Sequence, residues 1–428
     1  MSSSSSVVSF RQPDTVDDPL TAVLRDGARR LLAQAVEAEA EAFLAAMREM
    51  RLPDGRERLV RHGHGPERQV QTGIGPVAVQ RAKLRDRSVG DGSAGDVGAE
   101  RIRFTSAILP RWARRTRSLD ALLPILYLRG VSMGDFGEAL AVLLGKDAPN
   151  LSPSVVARLR GEWETDYVRW QRRDLSARHY VYVWADGIYL QARMEPQAEC
   201  MLVLIGATPE GKKELLGFQV GVRESAQSWR ELLVDLKARG LVVAPELATG
   251  DGALGFWKAL DEVSPTTRHQ RCTVHKTVNV LDKLPKSVQP AAKSDLREVW
   301  TAPDRATTET AIATFAEKYG AKYEKAVTCL IKDQDALLTF YDFPAEHWDH
   351  LRTSNPIESV FATVRHRTVR IKGALSQDTA RLMVFKLVMA AAKTWRRLKG
   401  ENQLPKVVQG VTFRDGVEVT DTPTQSAA

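Results

Sequence analysis

The sequence predicts an α+β chain of several domains, on three observations about its hydrophobic period. Apolar residues recur at helical spacing over most of the chain up to residue 175, apart from one short alternating stretch. From His179 the period shortens to that of strands and then alternates between strand and helix, and residues 273–350 return to helix. A length of 428 residues, 43% of them hydrophobic and 27% charged, suffices for roughly two or three domains with substantial cores.

Residues 1–16 are serine-rich and polar and are expected to form a disordered tail. From Pro19 to Met50, apolar positions at Leu20, Val23, Leu24, Leu31, Leu32, Ala35, Phe43, Leu44 and Met47 trace a helical stripe, with Asp17 and Asp18 as its start signal. In RQVQTGIGPVAVQRAKLRDR, the alternation of Val77, Val79, Arg81 and Lys83 after a turn at Gly73 and Gly75 predicts a small basic hairpin. Ser88 to Gly98 is rich in Gly, Asp and Ser and reads as a linker, closing a region at 17–100. Residues 101–175 predict successive helices. Leu119, Leu122, Leu123, Leu126 and Leu128 end at Gly130; Ser132 and Asp135 cap a second helix ending at Gly145; and Ser152 with Pro153 opens a third carrying Arg158, Arg160 and Trp163. This pattern suits a helix-turn-helix that reads DNA, and equally any small helical bundle.

The runs YVYVWADGIYLQAR, ECMLVLIGAT and KKELLGFQVGV predict an antiparallel meander. A helix with Trp229, Leu232, Leu233 and Leu236 on one face then stops at Gly240, LVVAPELATGDG reads as a buried strand running into a loop, and Leu254 to Leu260 reads as another helix. A mixed α/β domain is thus expected over 176–272 and 351–400, interrupted by the helical stretch 273–350 with Trp300, Ile312, Phe315, Leu330 and Leu337 in its core. Residues 401–428 are expected to be a C-terminal tail.

Composition narrows the function. The N-terminus MSSSSSVVSF lacks a basic start before an apolar run, and Val384 to Ala392 falls far short of the ~18 residues that span a bilayer, so neither secretion nor membrane insertion is expected. Cys200, Cys272 and Cys329 are scattered and odd in number, which fits a reducing, cytoplasmic setting without a disulfide framework. The net charge is +8, yet Arg51 to Asp120 holds 15 Lys/Arg against 8 Asp/Glu and Arg352 to Lys399 holds 11 against 2. Segments of +7 and +9 leave −8 for the remainder. Two basic segments on an otherwise acidic chain point to a polyanionic partner, DNA foremost, or else to two solvated basic surfaces.

Three carboxylates stand where a sheet can aim them. Asp186 in WADG follows the apolar run Val181 to Trp184; Asp251 in TGDG follows Leu241 to Ala244; Glu358 in TSNPIES starts the helix of the second basic segment. Carboxylates are the ligands Mg2+ prefers, and two such ions ~3.5–4 Å apart can drive phosphoryl transfer. The same residues have plainer readings, since Asp-Gly is a common turn and Asn355, Pro356 and Glu358 fit the N-cap, N1 and N3 positions of a capping box. Glu358, Phe361, Ala362 and Arg365 share one helical stripe, which places a carboxylate and a guanidinium two turns apart. Cys272 and His275 in RCTVHKTVN have no second Cys/His pair to complete a zinc site, and His269 is a lone partner, so a packing or orienting role beside the carboxylates is the better reading. His62 and His64 are placed in a polar surface loop; Trp112, Trp300 and Trp395 are core residues or base contacts.

At these residues the chain resembles the Mutator-type transposases of bacterial insertion sequences, a group with an Asp-Asp-Glu metal triad. The resemblance runs from about Asp17 to Lys399 through RSLDALLPILYLRGVSMGDFGEAL, LSPSVVARL, WADGIYLQAR, LLGFQVGVRESAQSWRELLVDLKARGL, GDGALGFWKAL, QRCTVHKTVN and RTSNPIESVFATVRHRT. It implies a ribonuclease-H-like catalytic domain with an all-helical insertion, preceded by helical DNA-binding regions and the hairpin. It also implies Asp186, Asp251 and Glu358 as the triad holding two Mg2+, with Mn2+ able to substitute. Cys272, His275, Asn355 and Arg365 take orienting or DNA-positioning roles. The expected partners are the double-stranded DNA of transposon ends and target and further copies of the chain, in a dimer or larger assembly at the nucleoid. A nuclease without strand transfer and a silent DNA-binding regulator are the alternatives.

Overall fold

The computed structural model describes residues 19–73, 75–88, 102–110, 112–116, 118–119, 122, 126, 153–190, 199–221, 223–252, 254–371 and 377–420, and the chain divides into two units, 1–159 and 160–428. In the first unit, helix α1 (Pro19–Ala46) turns Val36 and Ala40 inward, as its apolar spacing dictates. Strand β1 (Leu59–His64) pairs antiparallel with β4 (Ala82–Asp86), and between them β2 (Arg68–Thr72) and β3 (Gly75–Val79) form the expected hairpin. Val36, Val70, Val77, Val79 and Leu109 make the core.

The basic stretch does not form a single hairpin. Residues 82–86 leave it to pair with LVRHGH, so His62 and His64 lie on a strand rather than in a loop, though both are exposed. Asp86 draws β4 there. Its buried carboxylate accepts from Arg58 Nη2 at 3.0 Å, from the Ser88 amide at 2.9 Å and from the Ile102 amide at 2.9 Å. Burial opposes ionisation, but these donors hold its pKa far below the carboxylate range. The predicted linker beyond Ser88 and most of the helices expected between Leu119 and Gly145 lie outside the described residues.

Helix α2 (Pro153–Gln171) starts at the proline that the sequence marks. The five-stranded mixed sheet follows. Strands β5 (Tyr182–Leu190), β6 (Glu199–Ala207) and β7 (Lys213–Gly221) form the antiparallel meander. Helix α3 (Ala226–Ala238) leads to β8 (Leu247–Gly250), and α4 (Leu254–Val263) leads to β9 (Arg268–Arg271). The sheet order is β7-β6-β5-β8-β9, with β8 and β9 parallel to β5. One face, through Val183, Ala185, Leu202, Leu204 and Ala248, packs on Trp229, Leu232 and Leu236 of α3 and Phe256 and Leu260 of α4. Ser225 caps α3 by accepting the Ser228 amide, and Gly240 ends it at φ +101°, a conformation that suits glycine.

The rest of the chain is mostly helical: α5 (Thr273–Leu281), α6 (Gln289–Thr301), α7 (Arg305–Ile331), α8 (Gln334–Leu338), α9 (Trp348–Leu351), α10 (Asn355–Ile371), α11 (Gln377–Ala392) and α12 (Leu404–Val408). Side chains alternate across β5, so Tyr182 and Trp184 point away from α3 and α4 and meet this second layer. The Tyr182 hydroxyl lies 2.9 Å from His347 Nδ1, Trp184 Nε1 donates to the His350 carbonyl at 2.9 Å, and Thr249 Oγ1 donates to the Leu351 carbonyl at 2.8 Å.

The structure departs from the sequence expectations at three further places and meets the one for Trp300. Leu241 to Ala244 form no strand, with Val242 and Val243 exposed; the strand is Leu247–Gly250. RHQR, too polar to read as a strand, is β9, because Gln270 is fully buried and paired: its amide donates to the Leu337 carbonyl at 3.0 Å and its oxygen accepts the Phe340 amide at 2.8 Å. Trp300 belongs to the core and donates to Thr277 Oγ1 at 2.8 Å, whereas Trp112 is exposed. The expected C-terminal tail folds over part of its length, as α12 and the hairpin β10 (Phe413–Arg414) and β11 (Val417–Glu418).

Gln270→Leu leaves the Phe340 amide and the Leu337 carbonyl buried without partners. The substitution should destabilise the second unit by about 2 kcal/mol or more, read as a lower urea midpoint in equilibrium unfolding.

Candidate active site

Pairing register assembles the site. Ala185 of β5 lies opposite Gly250 of β8, and Gly250 opposite Arg271 of β9, so Asp186 follows on β5 while Asp251 and Cys272 come just past the ends of β8 and β9. Alternation sends Asp186 toward the layer that Trp184 already contacts, and Cys272, at the N-cap of α5, meets Ser354 there. The β5 strand does not end at Asp186, as the apolar run suggested. Its parallel pairing with β8 ends at Ala185, while antiparallel pairing with β6 continues to Leu190.

The fourth contribution comes from α10. Ile357, Val360, Phe361 and Val364 bury one stripe of this helix. Its N-cap is Ser354 rather than Asn355: the Glu358 amide donates to the Ser354 carbonyl at 3.1 Å, so Glu358 sits one position deeper than the capping box placed it. Two bonds hold the turn before the helix to β9 and α5. The Thr273 amide donates to the Arg352 carbonyl at 2.9 Å, and the Ser354 amide donates to Cys272 Sγ at 3.3 Å.

Ser354 is fully buried, and its hydroxyl touches three functional groups: Glu358 Oε1 at 3.0 Å, His275 Nδ1 at 3.3 Å and Cys272 Sγ at 3.4 Å. Burial pushes the Cys272 thiol up, but hydrogen bonds from His275 and Ser354 outweigh it and leave the thiol more acidic than usual. His275 is raised to about 9 by its bond to Cys272, with Asp186 and Asp251 adding to the effect. It is therefore a cation at neutral pH, set among the carboxylates.

Asp186 is 8% exposed and raised to about 7, first by burial and then by the charge of Asp251, with Glu358 adding to it. Glu224, in the loop after β7, behaves in the same way. Burial, then Asp251 and Asp186, raise it to about 7, and its carboxylate packs where a Cβ on Gly187 would stand. The sequence reading missed Glu224, although the Ser225 cap just after it marks the end of a loop leading from the sheet. Beside Asp251, Gly252 adopts φ +108°, and a Cβ there would collide with the Arg271 guanidinium. Arg271 is held in turn by Asp333, at 3.4 Å.

Asp186, Asp251 and Glu358 thus gather within electrostatic reach of one another, with Cys272 and His275 beside them. Asn355 is exposed at the first turn of α10, and Arg365 is exposed with its guanidinium 6.0 Å from the Phe361 ring. His269 is elsewhere, 2.9 Å from Asp261 and against Trp257. Concentrated carboxylates, two of them raised toward neutrality, suit a site that takes up a divalent cation or moves protons.

A family model described as transposase, Mutator family, matches residues 3–397. The chain is 47% identical over 298 residues to the transposase for insertion sequence element IS6120 of Mycolicibacterium smegmatis, a match covering 70% of this chain and 92% of that protein. It is 49% identical over 280 residues to the transposase for insertion sequence element IST2 of Acidithiobacillus ferrooxidans, covering 65% and 95%. It is 26% identical over 375 residues to the transposase for insertion sequence element ISRM5 of Rhizobium meliloti, covering 87% and 88%.

Between pH 3.8 and about 7 the folded chain keeps a proton on Asp186 that the unfolded chain has released, so this residue makes stability fall as pH rises through that window. Asp186→Asn should therefore stabilise the protein at pH 8 by on the order of 1–3 kcal/mol and much less at pH 4, read from thermal midpoints across pH. Gly252→Ala should lower the midpoint at every pH, by more than about 1 kcal/mol, because it combines a positive φ with a clash against Arg271.

Proposed function

The chain belongs to the Mutator family of transposases, and from that membership and the carboxylate geometry we propose that it binds the terminal inverted repeats of its own insertion sequence, cleaves DNA there and joins the released ends to a target. The observation that carries the chemistry is the convergence of Asp186 from β5, Asp251 from just past β8 and Glu358 from α10, with burial and then mutual repulsion raising Asp186. Like charges crowded around one buried carboxylate are a donor set that fits divalent metal, because a cation relieves both the burial of Asp186 and the repulsion. The three carboxylates would hold two Mg2+, for which Mn2+ can substitute. When bound, such ions make a water or a 3′-hydroxyl a competent nucleophile and stabilise the departing oxygen.

The chain's own groups supply the rest. Asp186 and Asp251 are fixed by the register of the parallel strands, and Glu358 by Ser354, so the carboxylates are oriented before DNA arrives. The His275 cation lowers the electrostatic cost of crowding them. The basic segment Arg352 to Lys399, which contains α10, would grip the phosphodiester on the side of the third carboxylate. First hydrolysis at the element's end and then attack by the freed 3′-hydroxyl need no covalent bond between protein and DNA. A sheet of three antiparallel strands extended by two parallel ones, with helices on both faces, supports a ribonuclease-H-like reading of residues 176–272 and 351–400. Residues 273–350 between them are read as a helical insertion. The basic region Arg51 to Asp120 is assigned to end recognition, and joining two ends calls for a dimer or larger assembly on DNA.

Asp251→Ala and Glu358→Ala should each retain binding to end DNA in a mobility-shift assay while Mg2+-dependent strand cleavage falls at least roughly a thousandfold. Cleavage at the unmodified rate by both variants would sink the assignment.

A further inference from the structure

Cys272, His275 and Glu358 form a second donor set beside the aspartates. One ligating atom of each lies within 4.8 Å of the others, and His275 Nδ1 is 3.8 Å from Glu358 Oε1. A tetrahedral Zn2+ with bonds of ~2.0–2.3 Å needs ligand atoms roughly 3.3–3.8 Å apart, so a small closure brings the three into range. Spacing in the sequence could not supply this set, because Glu358 follows His275 by 83 residues and arrives only through the docking of α10. The buried Ser354 hydroxyl spans all three donors at 3.0–3.4 Å and keeps them together. Thiolate and imidazole are donors that Zn2+ takes readily and Mg2+ does not, so this corner differs in kind from the all-carboxylate set beside it.

We propose that Cys272, His275 and Glu358 bind a thiophilic divalent ion of the Zn2+ class, and that this ion shuts the site by taking Glu358. Binding rests on the Cys-His-Glu geometry alone; only the consequence for cleavage rests on the role of Glu358 proposed above. The thiol proton of Cys272 and the ring proton of the His275 cation both leave to solvent as the metal–sulfur and metal–nitrogen bonds form, with no change of oxidation state. The fourth position falls to water or to the Ser354 hydroxyl. Zn2+ then competes for a carboxylate that Mg2+ chemistry requires, which makes the protein's activity sensitive to the ratio of the two ions.

Co2+ is the probe, because tetrahedral Co2+ bound to a thiolate shows a near-ultraviolet charge-transfer band and strong visible bands. The full-length protein should show them at one equivalent of Co2+, lose them on addition of Zn2+, and keep them in the Cys200→Ala/Cys329→Ala double variant. Cys272→Ser should abolish the charge-transfer band. His275→Gln, at a half-exposed position that tolerates change better than the buried cysteine, should abolish the tetrahedral visible bands. Asp251→Asn removes a carboxylate outside this donor set and should keep both, which separates this site from the one proposed for Mg2+. Absence of the thiolate band in the unmodified protein, its persistence in Cys272→Ser, or its loss in Asp251→Asn would overturn the proposal. In the cleavage assay, Zn2+ should suppress Mg2+-dependent activity. Suppression absent at Zn2+ concentrations that displace Co2+ would overturn the inhibitory role while leaving the spectroscopic result to stand for binding.

Discussion

The row in which Ala185, Gly250 and Arg271 lie side by side across three parallel strands decides where the chemistry can sit. Just past that row come Asp186 on β5, Asp251 beyond the end of β8 and Cys272 at the N-cap of α5, so one alignment brings the three to the same end of the strands. A slip of one residue on β5 would turn Asp186 toward α3 and α4. What fixes the register is ordinary packing: Val183, Ala185 and Ala248 on one face, and the hydrogen bonds of Trp184, Thr249 and Gln270 on the other. The helix that brings Glu358 depends on the same row, since its cap is tied to Cys272. Fold and site are thus set by one alignment.

That alignment crowds charge. Asp186 and Glu224 are both raised to about 7, because burial disfavours their ionised forms and Asp251 repels them. Only a scaffold with stability to spare can hold such groups together, and the large aromatic core around Trp229 and Phe256 supplies it, their rings meeting edge-on 4.9 Å apart. The Cys272–His275 pair offsets part of the repulsion by keeping a positive charge among the carboxylates.

Residues whose role follows from local pattern were legible in the sequence. The stripe of Trp229, Leu232, Leu233 and Leu236, the stop at Gly240, the meander of β5 to β7 and the Pro153 helix start all depend on spacing and turn chemistry within a few residues. The illegible parts depend on partners far along the chain. RHQR is a strand because Gln270 finds Leu337 and Phe340, and LVRHGH is a strand because it closes on β4, which Asp86 anchors through Arg58. At the site, Asp186, Asp251, Glu358, Cys272 and His275 could be picked out by motif, and the structure brings them together. Ser354 and Glu224 could not, since a serine before a helix and a glutamate in a loop carry no signal until the groups they touch are known.

Asp186 and Glu358 stand 172 positions apart in the chain, and that separation has a consequence for synthesis. Parallel pairing of β5 with β8 and the docking of α10 are long-range steps, which close late compared with the local meander. A chain emerging from the ribosome holds its basic N-terminal region and both aspartates well before it holds Glu358. A product ended before residue 358 therefore retains the basic segment Arg51 to Asp120 but lacks the third carboxylate. The order of elements along the chain makes Glu358 the last of the three carboxylates that translation delivers.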